Sequence, residues 1–222
     1  MATITKLPII NETVYTKTES DKILERVNSL KTRFNTIVLK CAKLTGLSDY
    51  TWLIYSIMYR ENADGNANFV KSTGATGIMQ ITPDTASDAL IRENQKNRIT
   101  AEERVFLTEK LGATKLNAIL KRKQLGTPIL FTTNQLKDPE LNLYLACLYL
   151  SQLVDKYTEN GVLRLEKVIT GYLRYYSNPS GTTATEVIAW IQKQNWSSAS
   201  KTENIAYIKA VGGRNGIAHT IA

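Results

Sequence analysis

Glu61 is the residue whose type and position point most directly to chemistry. Ile57 and Met58 precede it by four and three residues in a stretch that predicts a helix from about Ser48 to Glu61. Its carboxyl is therefore expected on the apolar face, at the end of that helix. Partial burial disfavours the charged form of a carboxyl, and a carboxyl that keeps its proton suits general acid catalysis. Periodicity alone does not separate this reading from an ordinary solvated glutamate at a helix terminus.

Other catalytic groups are scarce in the chain. His219 is the single histidine and lies in the C-terminal tail, where a solvated role is expected. A Ser-His-Asp triad or a catalytic zinc site would depend on that position, and zinc sites favour more than one histidine. Cys41 and Cys147 lie in apolar helical patterns typical of small buried residues. Phosphate-binding glycine motifs are absent from the sequence. We therefore expect carboxylate chemistry without a metal or cofactor.

A glycine-bearing segment from Ser72 to Ala86 follows Glu61, with the sequence STGATGIMQITPDTA. It resembles the signature of soluble-lytic-transglycosylase-type muramidases, in which a catalytic glutamate precedes S-x-x-G-A-x-G-L-M-Q-I-x-P-x-T-A. Glu61 precedes Gln80 by 19 residues here. Ile78 stands where the family has leucine, and the spacing from Ser72 to the first glycine is one residue shorter than in some members.

Two later segments extend the resemblance. Residues 138–142, DPELN, resemble the start of the family's D-P-x-x-N helix. Tyr172 falls where the family has A-Y-N-A-G and would match its active-site tyrosine, with Tyr175 and Tyr176 as alternative counterparts. The resemblance covers roughly residues 36–180.

The resemblance implies a mainly α, lysozyme-like domain of the goose-lysozyme type, with at most a small β element in 62–82 or 127–133. The expected organisation is an N-terminal extension with an amphipathic helix (1–35), a core (36–180) with a helical insertion (92–137), and C-terminal helices and tail (181–222). Within this plan, helices are also expected near 183–194 and 200–211.

The activity implied is cleavage of the β-1,4 bond between N-acetylmuramic acid and N-acetylglucosamine in peptidoglycan, with a 1,6-anhydromuramyl product. Glu61 would act as acid and then base, and Tyr172 would stabilise charge near the sugar ring. The substrate-binding residues implied are Ser72, Gly74, Ala75, Met79 and Gln80. The residue types leave plainer roles open: loop capping for Ser72, core packing for Met79 and loop bracing for Gln80.

Alternatives of other kinds remain. Asp64, Asp84 or Asp88 could position a water and give a goose-lysozyme-like hydrolase, an endolysin. A virion or assembly protein could use the same fold only to bind glycan. The net charge of +8 predicts affinity for anionic polymers, but no nucleic-acid-binding motif accompanies it, so no nucleic-acid partner is expected.

The N-terminal stretch has no apolar run typical of a signal peptide, and no segment approaches the ~20 apolar residues of a membrane span. We expect the protein to be delivered to the cell wall by a phage particle or secretion machine, contacted through 1–35 and 92–137, or to be released as a free endolysin.

Residues 1–17 are expected to be irregular. A heptad-like stripe then predicts one long helix, or two broken near Asn35, packed on its own domain or on a partner: Ile23, Val27, Leu30, Phe34, Ile37, Cys41 and Leu44.

Overall fold

The computed structural model describes residues 3–4, 7–122, 131–174 and 177–221. Helices make up 66% of the chain, which confirms the mainly α expectation. The described elements, in chain order, are β1 (Thr3–Ile4), β2 (Ile10–Thr13), α1 (Lys17–Leu44), α2 (Thr51–Asn62), α3 (Pro83–Gln95), α4 (Ala101–Leu111), α5 (Ala113–Leu120), α6 (Pro139–Lys156), β3 (Thr158–Glu159), β4 (Val162–Leu163), α7 (Leu165–Leu173), α8 (Ala184–Lys193), α9 (Ser198–Gly212), β5 (Gly213–Arg214) and α10 (Ile217–Ile221).

The chain divides into two compact units. The first unit comprises Met1–Arg33, Trp52–Ala63 and Gln152–Ala222, and the second comprises Phe34–Thr51 and Asp64–Ser151. Both units are assembled from segments that are distant in sequence, and α1 and α6 contribute residues to each. None of the described helices is both long and apolar enough to span a bilayer.

Helix α1 is continuous, so the alternative of two helices broken near Asn35 is wrong. Its buried stripe departs from the heptad spacing after Phe34, because Val38 is fully buried while Ile37 is only half-buried. A straight helix of 3.6 residues per turn drifts in this way from a strict seven-residue repeat. The stripe therefore follows the period of a helix packed within a globular protein.

The end of α1 is set by Gly46. This residue has a φ of +73°, in the left-handed region that glycine adopts readily. The Leu47 N–H donates to the Ala42 carbonyl at 2.7 Å, which closes the last turn and leaves the Leu47 side chain buried.

Residues 1–17 were expected to be irregular, which is wrong at β1 and at β2. Strand β2 pairs in parallel with β5, and β1 pairs in parallel with β4, which itself pairs antiparallel with β3. These strands are two to four residues long, too short to give a recognisable alternation in the sequence. Their partners, β4 and β5, lie far along the chain from residues 1–17, so nothing local predicts the pairing.

The expected small β element is present in the 62–82 region as two isolated bridges, Val70 with Thr76 and Thr76 with Ile81. In the alternative region, 127–133, residues 127–130 lie outside the described residues, and 131–133 form no strand.

Several helix signals in the second unit are confirmed. Thr82 caps α3 and Pro83 occupies its first turn. The capping box of α4 is complete, since the Thr100 hydroxyl accepts from the Glu103 N–H and Glu103 accepts from the Thr100 N–H. The stretch 141–150 of α6 is buried throughout.

In the first unit, α8 and α9 lie where helices were expected, while α10 forms within the stretch read as a tail.

Cys41 and Cys147 are buried free thiols, as expected. Burial raises the pKa of the Cys41 thiol to about 12.

Candidate active site

The predicted site residues fall into two sets. Glu61 and Tyr172 belong to the first unit, and the residues of the 72–80 loop belong to the second. The structure brings the members of each set together locally.

Glu61 lies in the last turn of α2. The helix is apolar on nearly all sides before it, with Ile57 and Met58 fully buried. Glu61 is half-buried and is followed by the buried Asn62. Glu61 lies on the same side of α2 as Ile57 and Met58, which precede it by four and three positions.

Tyr172 lies on α7, which packs against α9. Its neighbour Gly171 allows a close helix approach, because a Cβ there would lie 2.9 Å from Leu153 Cδ2 and 3.1 Å from Tyr157 Cε2. Glycine at this position therefore lets the segment that carries Tyr172 settle against the end of α6.

A third residue joins this set. Tyr207 of α9 is buried, and its hydroxyl has no hydrogen bond of ordinary geometry among the described residues. Burial raises the pKa of Tyr207 well above its usual range, and the nearby Glu61 carboxyl raises it further, as a charge and as a hydrogen-bond acceptor. Tyr172 acts on it in the same direction, and the Arg60 guanidinium, 5.2 Å from the Tyr207 ring centre, opposes them. Tyr207 therefore keeps its proton at neutral pH and offers it towards Glu61.

Sequence reasoning missed Tyr207. One signal was available: the Tyr207 side chain ends in a polar hydroxyl and lies on the buried face of a predicted helix. Asn204 and Val211, at helical spacing from it, are also fully buried. That pattern is common in helix packing. Its significance depends on Glu61, which is remote in sequence.

In the second unit, the loop from Lys71 to Ile81 is held by its own backbone. The Lys71 N–H donates to the Ala75 carbonyl at 2.8 Å, and the Thr76 N–H donates to the Ile81 carbonyl at 3.1 Å. Ala75 and Met79 are buried, while Ser72 is exposed at the turn. Met79 therefore packs in the core, as its plainer reading held, and Ser72 is accessible.

Asn142 braces this loop from α6. Its fully buried side chain makes three hydrogen bonds: Oδ1 accepts from the Met79 N–H at 3.0 Å, and Nδ2 donates to the carbonyls of Thr76 at 2.8 Å and Leu136 at 3.0 Å. Gly77 lies against the same amide, so that a Cβ would come within 2.5 Å of Asn142 Nδ2. Two of the segments that carry the family resemblance thus contact each other.

The nitrogen and the oxygen of the Gln80 side-chain amide lie in different environments. Its φ of 48° is unusual for a residue with a side chain. Nε2 donates to the carbonyls of Gly77 at 2.7 Å and Phe69 at 3.2 Å, so the side chain braces the loop. Oε1 is buried and has no partner among the described residues. The side chain thus stabilises the loop and keeps one acceptor unused.

A charge cluster fixes the start of α6. Asp138 Oδ1 accepts from the N–H groups of Glu140 and Leu141, which caps the helix. Lys110 lies 3.0 Å from Asp138 and 2.6 Å from Glu140, and Lys40 lies 2.7 Å from Glu140. Burial works to raise the pKa of Glu140, but hydrogen bonds and charge from the two lysines outweigh it and hold that pKa below its usual range.

Asp64 and Asp84 are exposed, and Asp88 is buried. Tyr175 and Tyr176 lie outside the described residues. His219 is exposed, and the described residues hold no cluster of ligands suited to a metal ion.

The chain matches no family model, no curated protein and no solved structure.

Proposed function

We propose that this protein is a peptidoglycan lytic transglycosylase built on a lysozyme-like helical domain. The observation that carries the proposal is the buried hydroxyl of Tyr207, which lies near both the half-buried Glu61 carboxyl and Tyr172. A carboxyl held near a protonated tyrosine, at the end of an apolar helix, is suited to donate a proton and later to take one back.

The reaction uses one carboxyl group in two steps. Glu61 protonates the oxygen that leaves the anomeric carbon of N-acetylmuramic acid, while the acetamido oxygen of the same sugar bonds to that carbon. Glu61, now a carboxylate, removes the proton from the muramyl 6-hydroxyl, whose oxygen attacks the anomeric carbon, displaces the acetamido oxygen and closes the 1,6-anhydro ring. The nucleophile belongs to the substrate, which supplies the advantage of proximity. A second catalytic carboxylate is then unnecessary, unlike in most glycosidases.

The tyrosines have distinct roles in this scheme. Tyr207 is buried and protonated, and its hydroxyl orients the Glu61 carboxyl for both steps. Tyr172 is half-buried and stabilises positive charge that develops near the sugar ring.

The resemblance assigns glycan contacts to the loop of the second unit. It includes Gln80 among the glycan-binding residues, but Gln80 Oε1 is buried and Nε2 donates to the carbonyls of Gly77 and Phe69. Gln80 therefore acts by shaping the loop that binds the glycan. Ser72 is exposed, and a Cβ placed on Gly74 would have no heavy atom within 4 Å, so a sugar ring has room beside the backbone here. Ala75 and Met79 support the loop from within the core.

We further propose that a phage particle or a secretion machine delivers the protein to the cell wall. Residues 1–35 and 92–137 are the segments assigned to contacts with that assembly. Immunodetection of the protein in purified particles tests this part separately from the activity.

The activity is tested by mass spectrometry of fragments released from purified peptidoglycan. Wild type is compared with Glu61→Gln, and Glu25→Gln, at an exposed glutamate of α1, controls for the loss of a carboxylate. We expect anhydro-terminated fragments from wild type and Glu25→Gln and none from Glu61→Gln. Fragments with reducing ends would favour the hydrolase, and a folded wild type that releases no fragments would contradict enzymatic function.

A further inference from the structure

Two tryptophans of the first unit form a platform that the sequence did not single out. Trp190 of α8 and Trp196, just before α9, are both half-buried, with ring centres 5.6 Å apart and planes at 82°. An edge-to-face pair of this kind fixes both rings while leaving part of each accessible.

Arg174 stacks on the ring of Trp196. Its guanidinium carbon lies 5.3 Å from the centre of the Trp196 ring, and a terminal nitrogen lies 3.8 Å from a carboxylate oxygen of Glu203. Arg174 Nε is buried and has no hydrogen-bond partner among the described residues, as expected of a guanidinium stacked on an indole. We call Trp190, Trp196 and Arg174 the indole platform.

The indole platform lies at the ends of α7 and α9, the two helices that carry Tyr172 and Tyr207. Arg174 follows Tyr172 by two residues at the end of α7, and Glu203 precedes Tyr207 by one helical turn on α9. The first turn of α9, which Trp196 precedes, lies about 14 Å along the helix axis from Tyr207, since each residue rises about 1.5 Å. That length corresponds to several linked sugar rings.

We propose that the indole platform binds a sugar ring of the glycan strand at a distance from the bond that is cleaved. The negative face of an indole attracts the polarised C–H bonds on the flat side of a pyranose, and the fixed ring loses little entropy on binding. The inference rests on the proposed function for the identity of the glycan, but its binding test needs no catalysis.

Binding is measured in the Glu61→Gln protein, with the N-acetylglucosamine hexamer and dimer as probes. Trp196→Leu should weaken hexamer binding about tenfold, the upper range for one aromatic contact, and leave dimer binding unchanged. Trp196→Tyr keeps a flat ring and should restore most of the affinity. Trp52→Phe, at a tryptophan of α2 outside the platform, should match the parent protein.

A second readout does not depend on the folding of any platform variant. The indole N–H signals of the Glu61→Gln protein are followed by NMR as the probes are added. The hexamer should shift the Trp196 and Trp190 signals, and the dimer should leave them in place. Equal hexamer affinity in Trp196→Leu and its parent, or unmoved platform signals at saturating hexamer, would overturn the proposal.

The two proposals fail separately. Cleavage by wild type, together with Trp196-independent hexamer binding, overturns the indole platform and leaves the transglycosylase standing. Trp196-dependent binding without any cleavage supports the platform and counts against the enzyme. If the hexamer does not bind at all, the platform is overturned as a glycan site, whatever the activity shows.

Discussion

The two sets of candidate residues are positioned by different means. In the first unit, Glu61, Tyr172 and Tyr207 come from three helices, and side-chain burial holds them in place. In the second unit, the loop around Gly77 is shaped by backbone hydrogen bonds, and one amide, Asn142, fastens it to α6. In the first set burial acts on side chains that can carry protons, whereas in the second set hydrogen bonds fix the shape of a backbone loop. The proposed function accordingly assigns proton transfer to the first set and glycan binding to the second.

The largest expected effect lies in the first unit. Glu61→Gln keeps the shape of the side chain but removes the titrating proton, so activity should fall by about 10³-fold, within the range for a general acid or base. The free energy of unfolding should stay within about 0.5 kcal/mol of wild type, as for substitutions away from tight packing. Dye release from labelled peptidoglycan and urea unfolding measure the two quantities. Residual activity near the wild-type level would remove Glu61 from the mechanism.

A matched pair of glycine variants tests the second unit. Gly77 and Gly74 both have positive φ, at +79° and +81°, but only Gly77 lies against Asn142 and Leu136. Gly77→Ala should lower the free energy of unfolding by about 3 kcal/mol, from backbone strain plus overpacking. Gly74→Ala should cost only the strain, about 1 kcal/mol. Equal losses in urea unfolding would show that Asn142 does not hold the loop as described.

In the first unit, Tyr207→Phe should lower activity while leaving the free energy of unfolding nearly unchanged. The hydroxyl is buried without a well-formed hydrogen bond among the described residues, so its removal should change the free energy of unfolding by less than about 0.5 kcal/mol. Activity should nevertheless fall roughly tenfold or more, because the Glu61 carboxyl loses the buried hydroxyl that orients it. Tyr157→Phe, at a tyrosine just past the far end of α6 whose hydroxyl donates to the Ser177 carbonyl, is the control with the opposite profile: less stable, with activity kept. Full activity in folded Tyr207→Phe would assign that hydroxyl to packing alone.

The smallest effect concerns the charge cluster at α6. The pKa of Glu140 is held below its usual value of 4.5, so its stabilisation is complete above that pH and is lost as the pH falls through the lowered pKa. Glu140→Gln should therefore cost about 1 kcal/mol at pH 7 and flatten the loss of stability below pH 4.5. Unfolding curves at several pH values test this, and an unchanged acid limb would contradict the role given to the two lysines.

Local signals predicted much of the second unit. The Thr82-Pro83 start of α3 and the Thr100 capping box depend on neighbouring residues, and both are present. The segments that contain Gly77 and Asn142 were each recognised by resemblance. Their contact was not predicted, because it joins residues 65 positions apart through a single buried amide.

The first unit was less accessible to sequence reasoning. Pairing of β2 with β5 and the approach of Tyr207 to Glu61 both join distant parts of the chain. A half-buried carboxyl at a helix end is common, and only its tertiary neighbours distinguish a catalytic group from a solvated one.

The most direct test of the central claim is digestion of purified peptidoglycan in ¹⁸O-labelled water, followed by mass spectrometry of the released fragments. In the proposed reaction the muramyl 6-hydroxyl is the nucleophile, so the new termini should be anhydro sugars without label, absent from the Glu61→Gln digest. Labelled reducing ends would show that water attacks the anomeric carbon. That result would contradict the transglycosylase and direct attention to Asp64, Asp84 and Asp88 as groups that position the water.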